Sequence, residues 1–528
     1  MIVWVLTLFG LLLSVTSSLV LPTYLGFDEP QHVDMVVALA EGDGWAGPGE
    51  RFLGAGISRS ASTYYVAPLG TKPLDKALVR VPARGQRKSL PELGGDVQVT
   101  GGNPNQIVQH PPLYYAIQAV GVRLLGAYDW SYDTLVELMR LLDALLLTPL
   151  PLLVWAMSRR LQTSSRVGVT AAALSLGVPG LARTGGMVNN DAFLVLTATA
   201  MLLGLLHVAT GDLSRRTAVV VGLLTGLALL SKGFGLTLLP LVVLAYVLGL
   251  RAASRPLRTG VRPLALALFV GFLSGGIWWA RNIVVYGHLQ TNGFGEKAAA
   301  RIAGPPRPAN LPATLGPYLH AIHVLLMPSF WGGIGVTSAP TMSVRESDWL
   351  TVLAALLVVA GIAWGVRGQG NRLALLLLTL PLPLAMLPFL SESYRVYVSH
   401  NLIAGLQGRY LYLAVPGLAL AGAVAADRLL GKARDWLPVV AVVAVLAMQL
   451  LNGVRLVRSL WLPPSGGTLR AALTHLEVLS PWSRYPTEAV FLVTGLVGIA
   501  VLVLSVLTAL AKEQSSPATE PAPVAVTD

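Results

Sequence analysis

Chemistry-bearing side chains gather at a few places in this chain. The first is Gly26-Phe27-Asp28-Glu29-Pro30-Gln31-His32, followed by Val33, Val36, Val37 and Ala40 at helical spacing. Proline at a first helical position with carboxylates just before it marks a helix start. The helix predicted over about 30–41 is amphipathic and too short to span, so it would lie along the outer membrane surface with Asp28 and Glu29 at its positive end, where the dipole favours the ionised carboxylate. Such a carboxylate suits a general base that activates a hydroxyl. Two other uses stay open: Asp28 caps the helix while Glu29 and His32 are solvated, or the cluster holds a divalent cation.

The second place is Gln109-His110-Pro111-Pro112-Leu113-Tyr114-Tyr115, which opens an apolar stretch ending near Ala127. That stretch is too short to cross a bilayer, so an interfacial or re-entrant helix is predicted, with His110 at its start and Tyr115 at the interface. A third group is scattered. Asn189-Asn190-Asp191 follows Arg183 and offers either oxygen ligands for a cation, with Asn190 and Asp191 joining Asp28, or an N-cap. Lys232 occupies a turn of almost no length, where a basic group is costly and hence a functional candidate, or else snorkels. Arg281 follows Trp278-Trp279-Ala280; Trp331 lies in Ser329-Phe330-Trp331-Gly332; Arg409 and Tyr410 end Gln407-Gly408-Arg409-Tyr410. Arginine grips phosphate through two parallel charge-assisted hydrogen bonds, and neighbouring aromatics suit sugar faces or prenyl chains as well as an interface belt.

The elements that must position these groups are read from composition. Of 528 residues 54% are apolar and 12% charged, about half the charged fraction of roughly 25% usual in soluble domains. A soluble enzyme is excluded. The fold class predicted is an all-α integral membrane protein of about twelve transmembrane helices. Cysteine is absent, which excludes disulfides, thiolate metal sites and cysteine nucleophiles. Gly (54) and Pro (35) are abundant enough that kinked or broken helices are expected.

The division predicted is a first span at 1–21, read as uncleaved for want of a basic leader; an outer loop at 22–133 with juxtamembrane helices; spans two to seven within 134–280; an outer loop at 281–347; spans eight to eleven within 348–453; an outer loop at 454–487; a last span at 488–511; and a disordered tail at 512–528. The short loops on one side carry fifteen basic residues, among them Arg159, Arg215, Arg255, Arg372 and Arg434, against eight on the other. By the positive-inside rule both termini face the cytoplasm and the long loops face out of it, in the plasma membrane. The net charge of +12 is then a topology signal and an attraction to membrane lipids, and nucleic acid drops out as a partner.

An acidic pair after the first span, His-Pro-Pro-Leu-Tyr-Tyr before the second and many later spans resemble the GT-C superfamily of membrane glycosyltransferases. More narrowly, Asp28-Glu29-Pro30-Gln31-His32, Ser329-Phe330-Trp331-Gly332 and Gln407-Gly408-Arg409-Tyr410 are similar to motifs of an uncharacterised bacterial family assigned to that superfamily. The resemblance implies a polyprenyl-phosphate sugar donor, an envelope glycan or lipid acceptor and inverting transfer outside the cytoplasm. It implies Asp28, with Glu29, as catalytic carboxylates, and Arg409 as a contact of the donor phosphate. Lys232, Arg281 and His110 are the other candidates for the phosphate, and His32, Tyr115, Tyr410 and Trp331 for the rest of the substrate. Asn189-Asn190-Asp191 is not a full acidic pair, so no cofactor is required and a divalent cation stays open. The rivals are a transporter or flippase of lipid-linked sugars, whose path would need polar groups such as Glu137, Arg140 and Asp143, and a non-catalytic scaffold for envelope assembly.

The orientation is testable in this cysteine-free chain. Ser62→Cys should react with an impermeant thiol reagent on intact cells; labelling only after lysis would reverse the topology.

Overall fold

The computed structural model describes residues 1–63, 81–308, 310–333, 341–364, 369–403, 405–462 and 467–514. Among them the regular structure is helical, with only two isolated β-bridges, Gly54 to Gln98 and Ser89 to Ser131. Ten helical segments are long and apolar enough to cross a membrane: Ile2–Val20, Tyr132–Arg160, Asn190–Ala209, Gly233–Ala252, Leu257–Tyr286, Val344–Trp364, Gly370–His400, Gly408–Leu429, Gly431–Trp461 and Arg484–Lys512. The other two expected spans are shorter: Ser165–Ser175 with Pro179–Thr184, and Arg215–Leu229. Proline breaks the regular ladder as expected. Within Tyr132–Arg160 the helix stops at Leu147 and resumes at Leu150, across Pro149, which has no N–H to donate.

The segments differ sharply in burial. The apolar windows of Asn190–Ala209 and Gly408–Leu429 are 72% and 78% buried, against 11% for Val344–Trp364 and 17% for Arg484–Lys512. A helix apolar on all sides is a central helix when protein surrounds it and a peripheral one when lipid does. The two central helices begin with Asn190-Asp191 and Gly408-Arg409, so the candidate residues stand at the ends of the most enclosed elements.

Four helices place the rest of the site: α1 (Ile2–Val20), α2 (Glu29–Glu41), α3 (Leu113–Leu124) and α4 (Tyr132–Leu147). Helix α2 departs from the sequence expectation. It does not lie half-exposed on the membrane surface: His32 through Ala38 are all buried. It packs on α3 in an apolar core that includes Tyr24, Val33, Val36, Tyr115, Val122, and Leu135 and Met139 of α4. Its polar residues are therefore interior. Asp34, fully buried, accepts from Arg51 Nε at 2.6 Å and from Asn105 Nδ2 at 2.9 Å.

The junction of α1, α2 and α4 is a buried ion pair. Arg140 Nε and Nη2 donate to the two Glu29 oxygens at 2.8 and 2.7 Å, and the remaining guanidinium donors reach the carbonyls of Ser18, Leu21 and Pro22 at 2.7–2.9 Å. Those carbonyls close the C-terminal end of α1, where a helix leaves acceptors unused. Glu29 also accepts from Gly26 N at 3.0 Å and Val188 N at 2.9 Å. A catalytic role for Glu29 does not fit this arrangement, because a fully buried carboxylate with both oxygens committed has none to offer a substrate.

The other polar residues of α4 that a transport path would need are held by neutral hydrogen-bond donors, with Glu137 Oε2 left without a partner. Glu137 accepts from Ser18 Oγ at 2.7 Å, and Asp143 accepts from Tyr114 Oη at 2.7 Å and Gln118 Nε2 at 3.0 Å.

Removing one partner of a buried pair leaves the other uncompensated, at a cost of about 3–5 kcal/mol. Arg140→Met should lower the thermal midpoint of the detergent-solubilised protein by an amount of that order, and Glu29→Gln should do the same. A midpoint equal to that of the unsubstituted protein in both variants would remove the pair from its structural role.

Candidate active site

Asp28 is the N-cap residue of α2, with left-handed backbone (φ 54°) and no side-chain cap hydrogen bond. Left-handed backbone is uncommon outside glycine, and aspartate tolerates it better than most residues. The capping alternative is not what the structure holds. The carboxylate points instead to two other elements: Oδ1 accepts from Gln106 Nε2 at 3.3 Å, and Oδ2 from Arg409 Nη2 at 2.9 Å.

Arg409 is buried, with Nε donating to Gln407 Oε1 at 2.7 Å and its plane 4.4 Å above the Phe27 ring. Gly408 makes this placement possible. A Cβ there would lie 2.1 Å from the Phe330 nitrogen, while the real Gly408 N–H donates to Ser329 Oγ at 2.9 Å. The Ser329-Phe330 and Gln407-Gly408-Arg409 motifs thus meet back to back.

On the far side of Arg409 lies Asp191, the first-turn carboxylate of the central helix Asn190–Ala209. Its backbone N–H is taken by Asn189 Oδ1 at 2.8 Å, so the N-cap is Asn189 and not Asp191 as expected from the sequence. Lys232 Nζ donates to its Oδ1 at 2.7 Å and stands 5.0 Å above the Tyr410 ring. Arg409 Nη1 comes within 3.2 Å of Asp191 Oδ2, yet neither atom has a hydrogen-bond partner. The pair is in ionic contact with the N–H aimed elsewhere, so Arg409 keeps one donor unspent.

His32 and His110 complete the ring of polar groups. His32 Nδ1 bonds Tyr115 Oη at 2.9 Å, and the two rings stack. His110 is buried with Nδ1 unpartnered. Burial first, then the charges of Lys232 and Arg409, hold both imidazoles well below their usual range. They are therefore neutral at physiological pH, each able to donate one hydrogen bond and accept another.

The structure thus brings Asp28, His32, His110, Tyr115, Asp191, Lys232, Arg409 and Tyr410 together. Arg281 and Trp331 are turned to other partners. Arg281 hydrogen-bonds Asn282 and Tyr286 and lies against the Trp278 and Tyr286 rings. The Trp331 indole N–H donates to Thr351 Oγ1 at 2.9 Å. Sequence reasoning missed Gln106, Gln407 and Phe27 as holders of the charged pair. Each stands within three residues of a motif residue, and that proximity was the only signal.

A divalent cation does not fit the residues considered for it. The Arg409 guanidinium itself lies between the Asp28 and Asp191 carboxylates, and the Asn190 amide donates away, to the Ser231 carbonyl at 3.0 Å. Among the described residues no group of three or more His, Asp or Glu side chains could hold a metal ion.

Residues 109–279 match the family described as dolichyl-phosphate-mannose-protein mannosyltransferase. The matched segment includes His110, Tyr115, Asp191 and Lys232, four members of the cluster just described. The match covers about a third of the chain, and over that segment the chain is similar to this family of membrane glycosyltransferases. The matched segment leaves out Asp28, His32, Arg409 and Tyr410, so half of the cluster lies outside it.

A comparison with curated proteins finds no match. Among solved structures, ArnT from Cupriavidus metallidurans bound to undecaprenyl phosphate aligns at 16% identity over 97% of this chain and 78% of its own, with a TM-score of 0.46. The Archaeoglobus fulgidus oligosaccharyltransferase in complex with Zn and sulfate aligns at 14% identity, over 85% of this chain and 53% of its own, with a TM-score of 0.44. Likeness that distant decides nothing about the site.

The buried histidines give the protein a pH signature. Unfolded, their imidazoles take up protons near pH ~6.5, whereas the native sites resist protonation. A depressed native pKa contributes stability that is complete above that value and is lost as pH falls below it. The thermal midpoint should therefore drop between pH 7.5 and 5.5, and His110→Gln should flatten the drop. An equal slope in the variant would show that His110 is not held neutral.

Proposed function

We propose that this protein is a glycosyltransferase that transfers a sugar from a polyprenyl-phosphate donor to a hydroxyl of an envelope glycan or glycolipid, with inversion at the anomeric carbon, on the outer side of the plasma membrane. The observation that carries the reading is the difference in exposure among the acids. The Asp28 side chain is 37% exposed, whereas Asp191 is 1% and Glu29 fully buried. Asp28 is the carboxylate of the cluster that a substrate can reach.

In this reading the acceptor oxygen attacks the anomeric carbon from the face opposite the phosphate and gives its proton to Asp28. The bond from that carbon to the phosphate oxygen breaks, and its electrons stay with the phosphate. Negative charge grows on the leaving group, so cations fixed beside it stabilise the transition state more than the ground state. Arg409, with its unspent Nη1 donor, and Lys232 are those cations. Docking of the phosphate makes Arg409 a shared partner, which weakens its hold on Asp28 and raises the basicity of that carboxylate. Neutral His32 and His110 with Tyr115 hydrogen-bond the sugar, and Tyr410 borders the donor. Glu29 acts as a positioning residue, since its bond to Arg140 fixes the residue beside Asp28. Both termini lie in the cytoplasm on this reading, and the cluster faces out.

Purified variants assayed with a synthetic polyprenyl-phosphate sugar test it. Asp28→Asn keeps the size of the side chain and removes the base, so transfer should fall by about 10²–10⁴-fold with the thermal midpoint retained. Arg409→Lys keeps charge without the planar fork and should not restore the loss caused by Arg409→Ala. Near-normal transfer by Asp28→Asn would end the assignment of the base.

A further inference from the structure

One buried cation has no part in the charge pairing of the site. Arg183 ends the short helix Pro179–Thr184, which precedes the turn to Asn190. Its guanidinium is buried; Nε donates to the Gly333 carbonyl at 2.7 Å and Nη1 to Asn452 Oδ1, while Nη2 has no partner. Asn452, 1% exposed, also accepts from Thr341 Oγ1 at 2.7 Å, and its Nδ2 is likewise unpartnered. The two unused donors belong to one hydrogen-bonded pair, and donors without acceptors define a place for an anion.

No carboxylate among the described residues lies within ion-pair distance of Arg183, and residues 327–345, which run past Gly333, contain no acid. A guanidinium keeps its proton in proteins, so the group is a cation at neutral pH. Charged groups enclosed this way are ordinarily paired. The neighbouring cluster cannot supply the missing charge, because Asp28 and Asp191 are already matched by Arg409 and Lys232. Arg183 is joined to that cluster from behind: a Cβ on Gly333 would lie 3.5 Å from the Phe27 ring, and the same ring carries Arg409 on its face.

We propose that Arg183 Nη2 and Asn452 Nδ2 form an anion subsite behind Arg409 that takes an oxygen of the donor phosphate, with Arg183 supplying the counter-charge. The inference rests on the phosphate-linked donor proposed above. A phosphodiester carries one negative charge, so donor, Arg183 and the paired cluster are together neutral. Transfer keeps that balance, because the phosphate gains a charge as Asp28 takes up the acceptor proton.

Asn452→Asp tests the subsite without removing the arginine, since it installs an isosteric carboxylate as an internal counter-ion. The probe is a polyprenyl phosphate, titrated against the full-length protein in detergent by thermal shift and by direct binding, with inorganic phosphate in a parallel arm. Asn452→Asp should keep or raise the midpoint of the unliganded protein and weaken polyprenyl-phosphate binding tenfold or more. Arg183→Gln should lose the ligand-induced shift, and Arg183→Lys should retain part of it. If the unsubstituted protein binds the lipid and a folded Asn452→Asp or Arg183→Gln protein binds it equally well, the subsite is wrong and the donor reading stands. If the unsubstituted protein does not bind it, the donor reading falls and the subsite with it. Arg183-dependent stabilisation by inorganic phosphate without any by the lipid overturns the assignment to the donor.

Discussion

The bidentate contact between Arg140 and Glu29 fixes the relative positions of almost everything else near the site. One guanidinium closes the last carbonyls of α1 and grips the first residue of α2. The same carboxylate takes the Val188 N–H just ahead of Asn190. The two acids facing Arg409 are therefore set by one buried knot: Asp28 by the residue after it, Asp191 by a backbone held three residues before it. Such a pair is costly to desolvate and weak evidence for stability as such. Its use here is geometric, since bidentate contact with a fully satisfied fork permits one orientation.

Beside that knot the two acids of the cluster are paired with its two cations, because low dielectric makes an unpaired ion expensive. Lys232 answers Asp191, and Arg409 divides itself between Asp191 and Asp28. This explains why the carboxylates do not assemble into a cation site, since the position between them is taken by a guanidinium. On the proposed reading, it also lets the part-exposed Asp28 act as a base beside an arginine. Arg409 is held by Gln407, Phe27 and the Gly408 contact independently of Asp28, so a competing anion can draw on it without moving it.

Much of this was legible in the sequence where the signal was local. Apolar run lengths gave most of the spans, and Pro30 with its preceding acids marked the start of α2 within a residue. Asp191 and Arg409 stood out as polar groups where a loop meets an apolar run. The first failure came where the deciding partner lies more than a hundred residues away. Glu29 and Asp28 are adjacent and chemically alike, and only Arg140, 111 positions on, makes one structural and leaves the other accessible. Helix α2 reads as amphipathic because Asp34 and His32 interrupt its apolar face; in the fold those residues are satisfied by Arg51 and Tyr115, so both are buried with the apolar ones. Arg281 and Trp331 show the reverse error. Their types and positions suit a substrate, yet neighbours within the chain already hold them.

The location of the cluster links activity to the stability of the core. Asp191 and Arg409 open the two most enclosed helices, whose apolar bodies are gripped on all sides by protein. Their charged ends are consequently presented from elements with little freedom to tilt, which is what electrostatic stabilisation of a transition state requires of its dipoles and ions. Asp28 differs in kind. It stands at a left-handed junction between a span and a short helix, reachable from outside and restrained by hydrogen bonds instead of packing. Rigid cations and one accessible carboxylate are a suitable division for transfer from a membrane-held phosphate. The charge on the phosphate must meet groups that do not reorganise, whereas the acceptor hydroxyl arrives from water and needs a base it can reach.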